Sequence, residues 1–258
     1  MKVALSPPTI ALVVASAGVA VALLLAVVGR DSPGVGTCRA ALIPAYLPPR
    51  ELTALIRGPA RPRMVIVNPD SGPGAGRSAA YGNAVRALRT AGVRVLGYVP
   101  TGYGSRPLDA ALADVDRYRS WYGVDGIFFD EASSDAAALG YYRALGESAR
   151  RGAARLVVVN PGVPPARGYF DIADVVVTFE GTYAGYGPAM QAAPEWLRQE
   201  RPERVAHLVY GATRAEAMGA VAGSAAGFVY ATSGAMPNPW RSLPAYLDEE
   251  EEALAACR

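Results

Sequence analysis

The sequence predicts an α/β protein of the (β/α)8, or TIM-type, barrel class, preceded by an N-terminal hydrophobic segment. Eight short apolar runs alternate with connecting segments along the 258-residue chain. Most runs are continuous stretches of Val, Ile and Leu, which is typical of strands buried on both faces of a parallel sheet. Acids, amides and phenols follow the runs at one end only, as at the C-terminal face of such a barrel. An open doubly wound sheet is the alternative.

The eight predicted strands are residues 41–47, 63–69, 94–100, 126–131, 155–162, 174–181, 205–211 and 227–233. Apolar residues at helical spacing predict helices in four of the segments between them, 78–92, 105–123, 138–152 and 213–225. The helix after the first strand is short, and the fifth connection, "VPPARGYFDIA", is expected to be irregular. The acid run of the last helix, "YLDEEEEALAAC", is expected to form an exposed face near the positive helix N-terminus.

Two parts are predicted: residues 1–36 as hydrophobic segment and linker, and residues 37–258 as the barrel. Residues 9–28 carry no charge, and about 20 apolar residues are enough to cross a bilayer. The sequence "VVGRDSPG" that follows is a poor signal-peptide cleavage site. We therefore expect an uncleaved membrane anchor rather than a removed signal peptide. Both interpretations place the barrel outside the cytoplasm, at the cell surface or secreted.

The two cysteines, Cys38 and Cys257, lie just inside the two ends of the predicted barrel. Outside the cytoplasm, a pair in this arrangement predicts a disulfide. Closure of a barrel brings the first strand beside the eighth, so that Cys38 and Cys257 meet, whereas an open sheet usually separates its ends. The pair therefore favours the barrel.

Several classes of function are disfavoured. The net charge is +2 and no stripe of Lys and Arg interleaved with aromatics occurs, so nucleic acid is not expected as a partner. The only histidine, His207, lies within a strand and is interpreted as a packed or hydrogen-bonded residue, so no metal and no cofactor are expected. No GxSxG elbow indicates a serine hydrolase. The loop "NPDSGPGAG" lacks the GK[ST] of a phosphate-binding loop.

Three carboxylates are the candidate catalytic residues. Asp130 and Glu131 end the fourth strand and Glu180 ends the sixth. Because successive side chains on a strand alternate, one of the adjacent pair should enter the pocket while the other faces the helix layer or the rim. Inward carboxylates two strands apart could approach to about 5–6 Å, which suits a retaining glycosidase.

The motifs at the strand ends resemble those of the spherulin-4-like family (spherulation-specific family 4), grouped with family 135 glycoside hydrolases. They are, in order, "NPDSGPG", "GYVPTGYGSR", "RYRSWYGVDGIFFDE", "VVVNPG" and "DVVVTFEGTYAGY". The resemblance covers roughly residues 42–245. It implies a barrel outside the cell or at its surface that cleaves α-1,4-linked galactosamine or N-acetylgalactosamine polymers. It also implies carboxylate sites at Asp130, Glu131 and Glu180.

The resulting prediction is a retaining endo-glycosidase with Asp130 as nucleophile, Glu180 as acid/base and Glu131 as a supporting carboxylate. The alternatives are an inverting glycosidase and a non-catalytic surface carbohydrate-binding or developmental coat protein. The protein is expected to be a monomer that contacts a membrane only through its N-terminal segment. The predicted substrate-binding residues are Tyr46, Asn68, Ser71, Tyr98, Thr101, Tyr103, Asn160, Tyr183, Tyr210 and Tyr230, with Tyr186 as a further stacking candidate.

Overall fold

The computed structural model describes residues 39–58, 61–151 and 156–256. Within these residues, eight parallel strands pair in sequence order. Ala40 makes a parallel bridge to Phe228 and nearly closes the barrel, because its N–H donates to Gly227 O (2.9 Å) and its carbonyl accepts from Val229 N–H (3.1 Å). The strands are β1 (Leu42–Ala45), β2 (Met64–Val67), β3 (Arg94–Pro100), β4 (Gly126–Asp130), β5 (Leu156–Val159), β6 (Val175–Thr182), β7 (Val205–Tyr210) and β8 (Phe228–Ala231). The predicted (β/α)8 fold is confirmed.

Helices cover the outside of the sheet. They are α1 (Pro49–Leu52), α2 (Ala79–Thr90), α3 (Leu108–Arg117), α4 (Leu139–Arg150), α5 (Tyr183–Ala192), α6 (Glu195–Arg198), α7 (Arg214–Gly223) and α8 (Leu247–Ala255). The fifth connection holds only the 3-10 turn Arg167–Asp171, as predicted. The sequence predicts no helix in the sixth connection, whereas the structure has α5 and α6 there. Pro188 and the glycines of α5 disfavour a helix in this segment. Tertiary packing therefore overrides the low helix propensity there.

Close packing between the sheet and the helix layer depends on Gly97 in β3. A β-carbon at this position would overlap the ring of Tyr118. Tyr118 is fully buried, and its hydroxyl donates to Val67 O at 3.2 Å. The glycine therefore lets an aromatic side chain of the outer layer lie directly on the strand.

The N-terminal segment and both cysteines, Cys38 and Cys257, lie outside the described residues. The anchor and the disulfide therefore stay predictions. Among the residues that the structure describes, no helix is long and apolar enough to span a bilayer.

The prediction that the acid run of the last helix is exposed is wrong for two of its members. Glu250 is fully buried and Glu251 is 5% exposed. The reason is a specific contact: Glu250 Oε1 accepts a hydrogen bond from Ala231 N–H (2.8 Å), at the end of β8. Burial and the charge of the neighbouring Glu251 raise the pKa of Glu250 to about 8, although the hydrogen bond from Ala231 lowers it. Burial and Asp248 raise the pKa of Glu251 to about 7.

We predict that Glu250→Gln weakens the loss of stability that occurs as the pH rises from about 4.5 to about 8. The folded-state pKa of about 8 lies above the ordinary 4.5, so protonated Glu250 stabilises the fold below about pH 4.5. This contribution is lost as the pH rises towards 8, by up to about 1.4 kcal/mol per pH unit. Glutamine keeps an acceptor for Ala231 and cannot ionise. The measurement is the urea-derived free energy of unfolding between pH 4.5 and 8.5. Exposed Glu252→Gln is the control, and identical slopes for both variants would contradict the prediction.

Candidate active site

A cavity of about 560 Å³ opens at the carboxyl ends of the strands. Eight of the predicted site residues line it: Tyr46, Asn68, Tyr103, Asp130, Glu131, Asn160, Glu180 and Tyr210. They come from the ends of seven different strands or from the loops that follow them. The cavity therefore lies at the face where (β/α)8 enzymes carry their active sites.

One amide joins the two innermost carboxylates. Asn160 Nδ2 donates to Asp130 Oδ1 at 2.7 Å and to Glu180 Oε2 at 2.5 Å. These two oxygens therefore lie no more than about 5 Å apart. Asn160 is 5% exposed, and its backbone is fixed against β4 by hydrogen bonds with Phe129 O and Ala132 N–H, both 2.9 Å.

A bulge in β6 directs Glu180 into the cavity. The register with β7 shifts between Val177 and Phe179, so Thr178 is an extra residue in the strand. Thr178 lies on the outer side, where its hydroxyl meets His207 Nε2 at 3.2 Å. In a regular strand Glu180 would share the face of Thr178. The bulge breaks this alternation and places the carboxylate inside.

The environments of the two carboxylates differ. Burial and the charge of Asp130 raise the pKa of Glu180 to about 7, against hydrogen bonds from Asn160 and the indole of Trp240. Burial also raises the pKa of Asp130, which three groups oppose: the Glu131 backbone N–H, Asn160 and the Tyr98 hydroxyl. Asp130 thus has three donors that favour its anion. Glu180 is the member of the pair that can hold a proton near neutral pH.

Glu131 leaves the strand at the cavity rim. Its backbone is left-handed, with φ of 51°. Its side chain is exposed, and Oε2 accepts from Gly102 N–H at 3.3 Å. Asp130 therefore enters the cavity and Glu131 lies at its edge, in agreement with the prediction that only one of the adjacent pair enters the pocket.

Two predicted sugar-binding residues lie beneath the cavity and support it instead. Tyr98 is 8% exposed and contacts the ring of Tyr46 edge-on, with centroids 5.3 Å apart. Thr101 is fully buried, and its hydroxyl lies 2.8 Å from both Asp130 O and Glu131 O. Both residues hold the end of β4 in place, and neither lines the cavity.

Other predicted binding residues lie away from the cavity. Ser71 is exposed on its turn, while Asn68 Oδ1 closes that turn by accepting from Gly72 N–H at 2.8 Å. Tyr183 begins α5 and packs against the helix layer. Tyr230 is fully buried beneath Trp240, with ring centroids 6.0 Å apart.

The structure agrees with the interpretation of His207 as a hydrogen-bonded structural residue. It is 4% exposed, and Nδ1 meets the Tyr186 hydroxyl at 2.9 Å. Burial lowers the pKa of His207 to about 4. Tyr186 is thus occupied in the outer layer and lies outside the cavity lining. No cluster of three or more His, Cys, Asp or Glu side chains suited to a metal occurs in the described part of the chain.

Sequence reasoning missed one wall of the cavity. The loop between β8 and α8 contributes Met236 through Trp240 and contains a cis Met236–Pro237 peptide bond. Trp240 contacts Tyr210 edge-on, with centroids 6.0 Å apart, and interacts with Glu180. The available signal was position, because any loop that follows a barrel strand lies at the active-site face. By this rule, the tryptophan that follows two prolines in "MPNPW" is a candidate for the cavity wall.

Fold and site together define a (β/α)8 barrel with two carboxylates, joined by one amide, at its C-terminal face. The family model Spherulin4 (spherulation-specific family 4) matches residues 41–254. Spherulin-4 of Physarum polycephalum is 30% identical over 231 residues, which cover 83% of this chain and 70% of that protein. The chain therefore belongs to spherulation-specific family 4.

One solved structure with high structural similarity agrees with the fold. Sph3 of Aspergillus clavatus, determined in complex with GalNAc, has a TM-score of 0.73 and 24% identity, covering 85% of this chain and 99% of that one. The glycoside hydrolase domain of PelA from Pseudomonas aeruginosa is more distant, with a TM-score of 0.45 and 14% identity over 71% of this chain and 90% of that one. The likeness to Sph3 establishes the fold.

We predict that Asn160→Ala raises the pKa of Glu180 above about 7, because the amide donates to the ionised carboxylate and lowers that pKa. The measurement is a ¹³C NMR titration of the Glu180 side-chain carboxyl, which needs no substrate. Asn83→Ala, at an exposed position in α2, is the matched control. An unchanged Glu180 titration in Asn160→Ala would show that the bridge does not set its protonation.

Proposed function

We propose that the protein is a retaining endo-glycosidase that hydrolyses an extracytoplasmic amino-sugar polysaccharide. The observation that carries the proposal is the pair Asp130 and Glu180 at the barrel's C-terminal face. The amide of Asn160 holds Asp130 Oδ1 and Glu180 Oε2 within about 5 Å of each other. Retaining glycosidases need two carboxyl groups about 5–5.5 Å apart, whereas inverting ones need about 6.5–9.5 Å to admit a water. The short separation favours the retaining reaction over both alternatives, inversion and a non-catalytic barrel.

The roles follow from the two environments. Asp130, stabilised as an anion by three donors, attacks the anomeric carbon and forms a glycosyl-enzyme bond while the glycosidic bond breaks. Glu180 begins protonated and gives its proton to the leaving oxygen. It then takes a proton from water, whose oxygen attacks the anomeric carbon and releases Asp130. A pKa of about 7 lets Glu180 serve in both protonation states near neutral pH.

The substrate class rests on the cavity's charge and on the family. Its lining carries Asp130, Glu131 and Glu180, and no Lys, Arg or His is among the described lining residues. A field of this sign favours neutral or cationic sugars over acidic ones. The GalNAc in the Sph3 structure supports α-1,4-linked galactosamine or N-acetylgalactosamine polymers as the first substrates to test. The predicted anchor supports a location at the cell surface or outside the cell.

The test is incubation of the full-length protein, in detergent, with partially de-N-acetylated α-1,4-galactosamine polymer. Mass spectrometry should detect short oligomers, and ¹H NMR should show the α-anomer as the first product. Asp130→Asn should lose at least about a thousandfold in kcat/KM. Glu180→Gln should lose a similar factor on the polymer and much less on an aryl glycoside, whose leaving group needs no proton.

Glu147→Gln, an exposed substitution of the same chemical kind on α4, should be as active as the wild type. A β-anomer as first product would show that the anomeric configuration is inverted and would contradict the proposed retaining mechanism. Full turnover by Asp130→Asn would remove it as nucleophile. Loss of activity on both substrate types in Glu180→Gln would reverse the two roles.

A further inference from the structure

Two residues at the cavity rim share an unusual backbone conformation. Tyr103 and Glu131 have φ of 56° and 51°, in the left-handed region that non-glycine residues rarely adopt. Such a residue is strained and persists only where surrounding contacts enforce its conformation. Here the two are joined directly, since Tyr103 N–H donates to Glu131 O at 2.6 Å. Both line the cavity.

The contacts around them explain how the conformation is maintained. Thr101 N–H donates to Asp130 O at 3.0 Å, and the Thr101 hydroxyl lies 2.8 Å from Glu131 O. Gly102 and Gly104, on either side of Tyr103, also have positive φ. The turn after β3 is thus attached to the end of β4 by several hydrogen bonds. Tyr103 and Glu131 are presented as one rigid unit beside the reacting pair.

The side chains of this unit take no part in the chemistry proposed above, to which Glu131 contributes only its backbone N–H. Both hydrogens of the Asn160 amide are used by Asp130 and Glu180, which leaves Glu131 outside that bridge. The Glu131 carboxylate is exposed and is steadied by Gly102 N–H at 3.3 Å. A carboxylate so placed can accept a hydrogen bond or receive a positive charge from a ligand.

Exposed apolar surface is concentrated at the same place. Tyr103 is 70% exposed, and the described part of the chain has three other exposed large hydrophobic residues. Two of these, Val163 and Met236, also line the cavity. An apolar rim around an acidic floor matches a polysaccharide, whose rings have apolar faces and polar edges. Aromatic rings with one wet face suit such partners.

We propose that Tyr103 and Glu131 form a binding subsite for a sugar unit next to the one that is cleaved. The ring face of Tyr103 stacks on the sugar, and Glu131 accepts a hydrogen bond from one of its substituents, a hydroxyl or a protonated amine. This subsite rests on the proposed function. It makes Glu131 a substrate-binding residue and gives the enzyme a preference for chains long enough to reach the rim.

The test measures binding of galactosamine oligomers of increasing length, N-acetylated and de-N-acetylated, by calorimetry in the Asp130→Asn protein. Adding Tyr103→Ala should weaken the binding of long oligomers about tenfold and of the shortest much less, while Tyr103→Phe should restore it. Adding Glu131→Gln should weaken binding of de-N-acetylated oligomers alone if the donor is an amine, and of both forms if it is a hydroxyl. Leu108→Ala, an exposed apolar residue outside the cavity lining, is the control.

Each outcome decides the proposal. A loss in Tyr103→Ala that is equal at every oligomer length, or no loss at all, overturns the subsite even if the wild-type protein cleaves the polymer. In the protein that retains Asp130, a Glu131→Gln substitution that lowers kcat a hundredfold with unchanged KM would make Glu131 catalytic and overturn its binding role. A protein that neither binds nor cleaves any oligomer overturns the proposed function and the subsite together.

Discussion

The amide of Asn160 is the interaction on which the site depends. Two carboxylates buried in one cavity repel each other, and without a shared donor one would turn away or both would stay neutral. The amide offers two hydrogens to two acceptors, so Asp130 and Glu180 can remain close while one of them is charged. Asn160 can do this because it directly follows β5, the strand between those of its two partners, and because its backbone is itself bonded to the end of β4.

The barrel supplies the rest of the geometry through backbone irregularities. Glu180 faces inward only because β6 contains an extra residue at Thr178, which takes the outward position towards His207. Glu131 reaches the rim only because its backbone leaves the strand in a left-handed conformation. The bulge lies midway along β6, two residues before Glu180, and the left-handed residue directly follows β4. Each irregularity therefore lies close to the carboxylate that it directs.

The sequence was sufficient to predict the fold because continuous apolar runs indicate the strands and polar residues follow these runs at one end only. It also predicted that only one acid of the pair at β4 enters the cavity, although the left-handed backbone of Glu131, and not alternation along a strand, places the second acid at the rim. It failed where a contact is non-local. The burial of Glu250 depends on a backbone N–H of β8, 19 residues away, and a run of four glutamates gives no sign of it. Tyr98, Thr101 and Tyr230 were assigned to sugar binding because their residue types suit it, but depth within the barrel decides their role.

Depth also explains how the different aromatic residues divide their tasks. Tyr98 lies beneath the cavity and its hydroxyl donates to Asp130, while Tyr230 is buried beneath Trp240. Both residues therefore support the cavity lining and do not belong to it. Trp240 forms one wall and interacts with Glu180. Tyr103 alone among them is largely exposed, and it is joined by its backbone to the acid that stands apart from the Asn160 bridge. A polysaccharide lying across the rim would meet rigid, exposed groups first and the ionisable pair only at the cavity floor. The chain would therefore be oriented by Tyr103 and Glu131 before a glycosidic bond reaches Asp130 and Glu180.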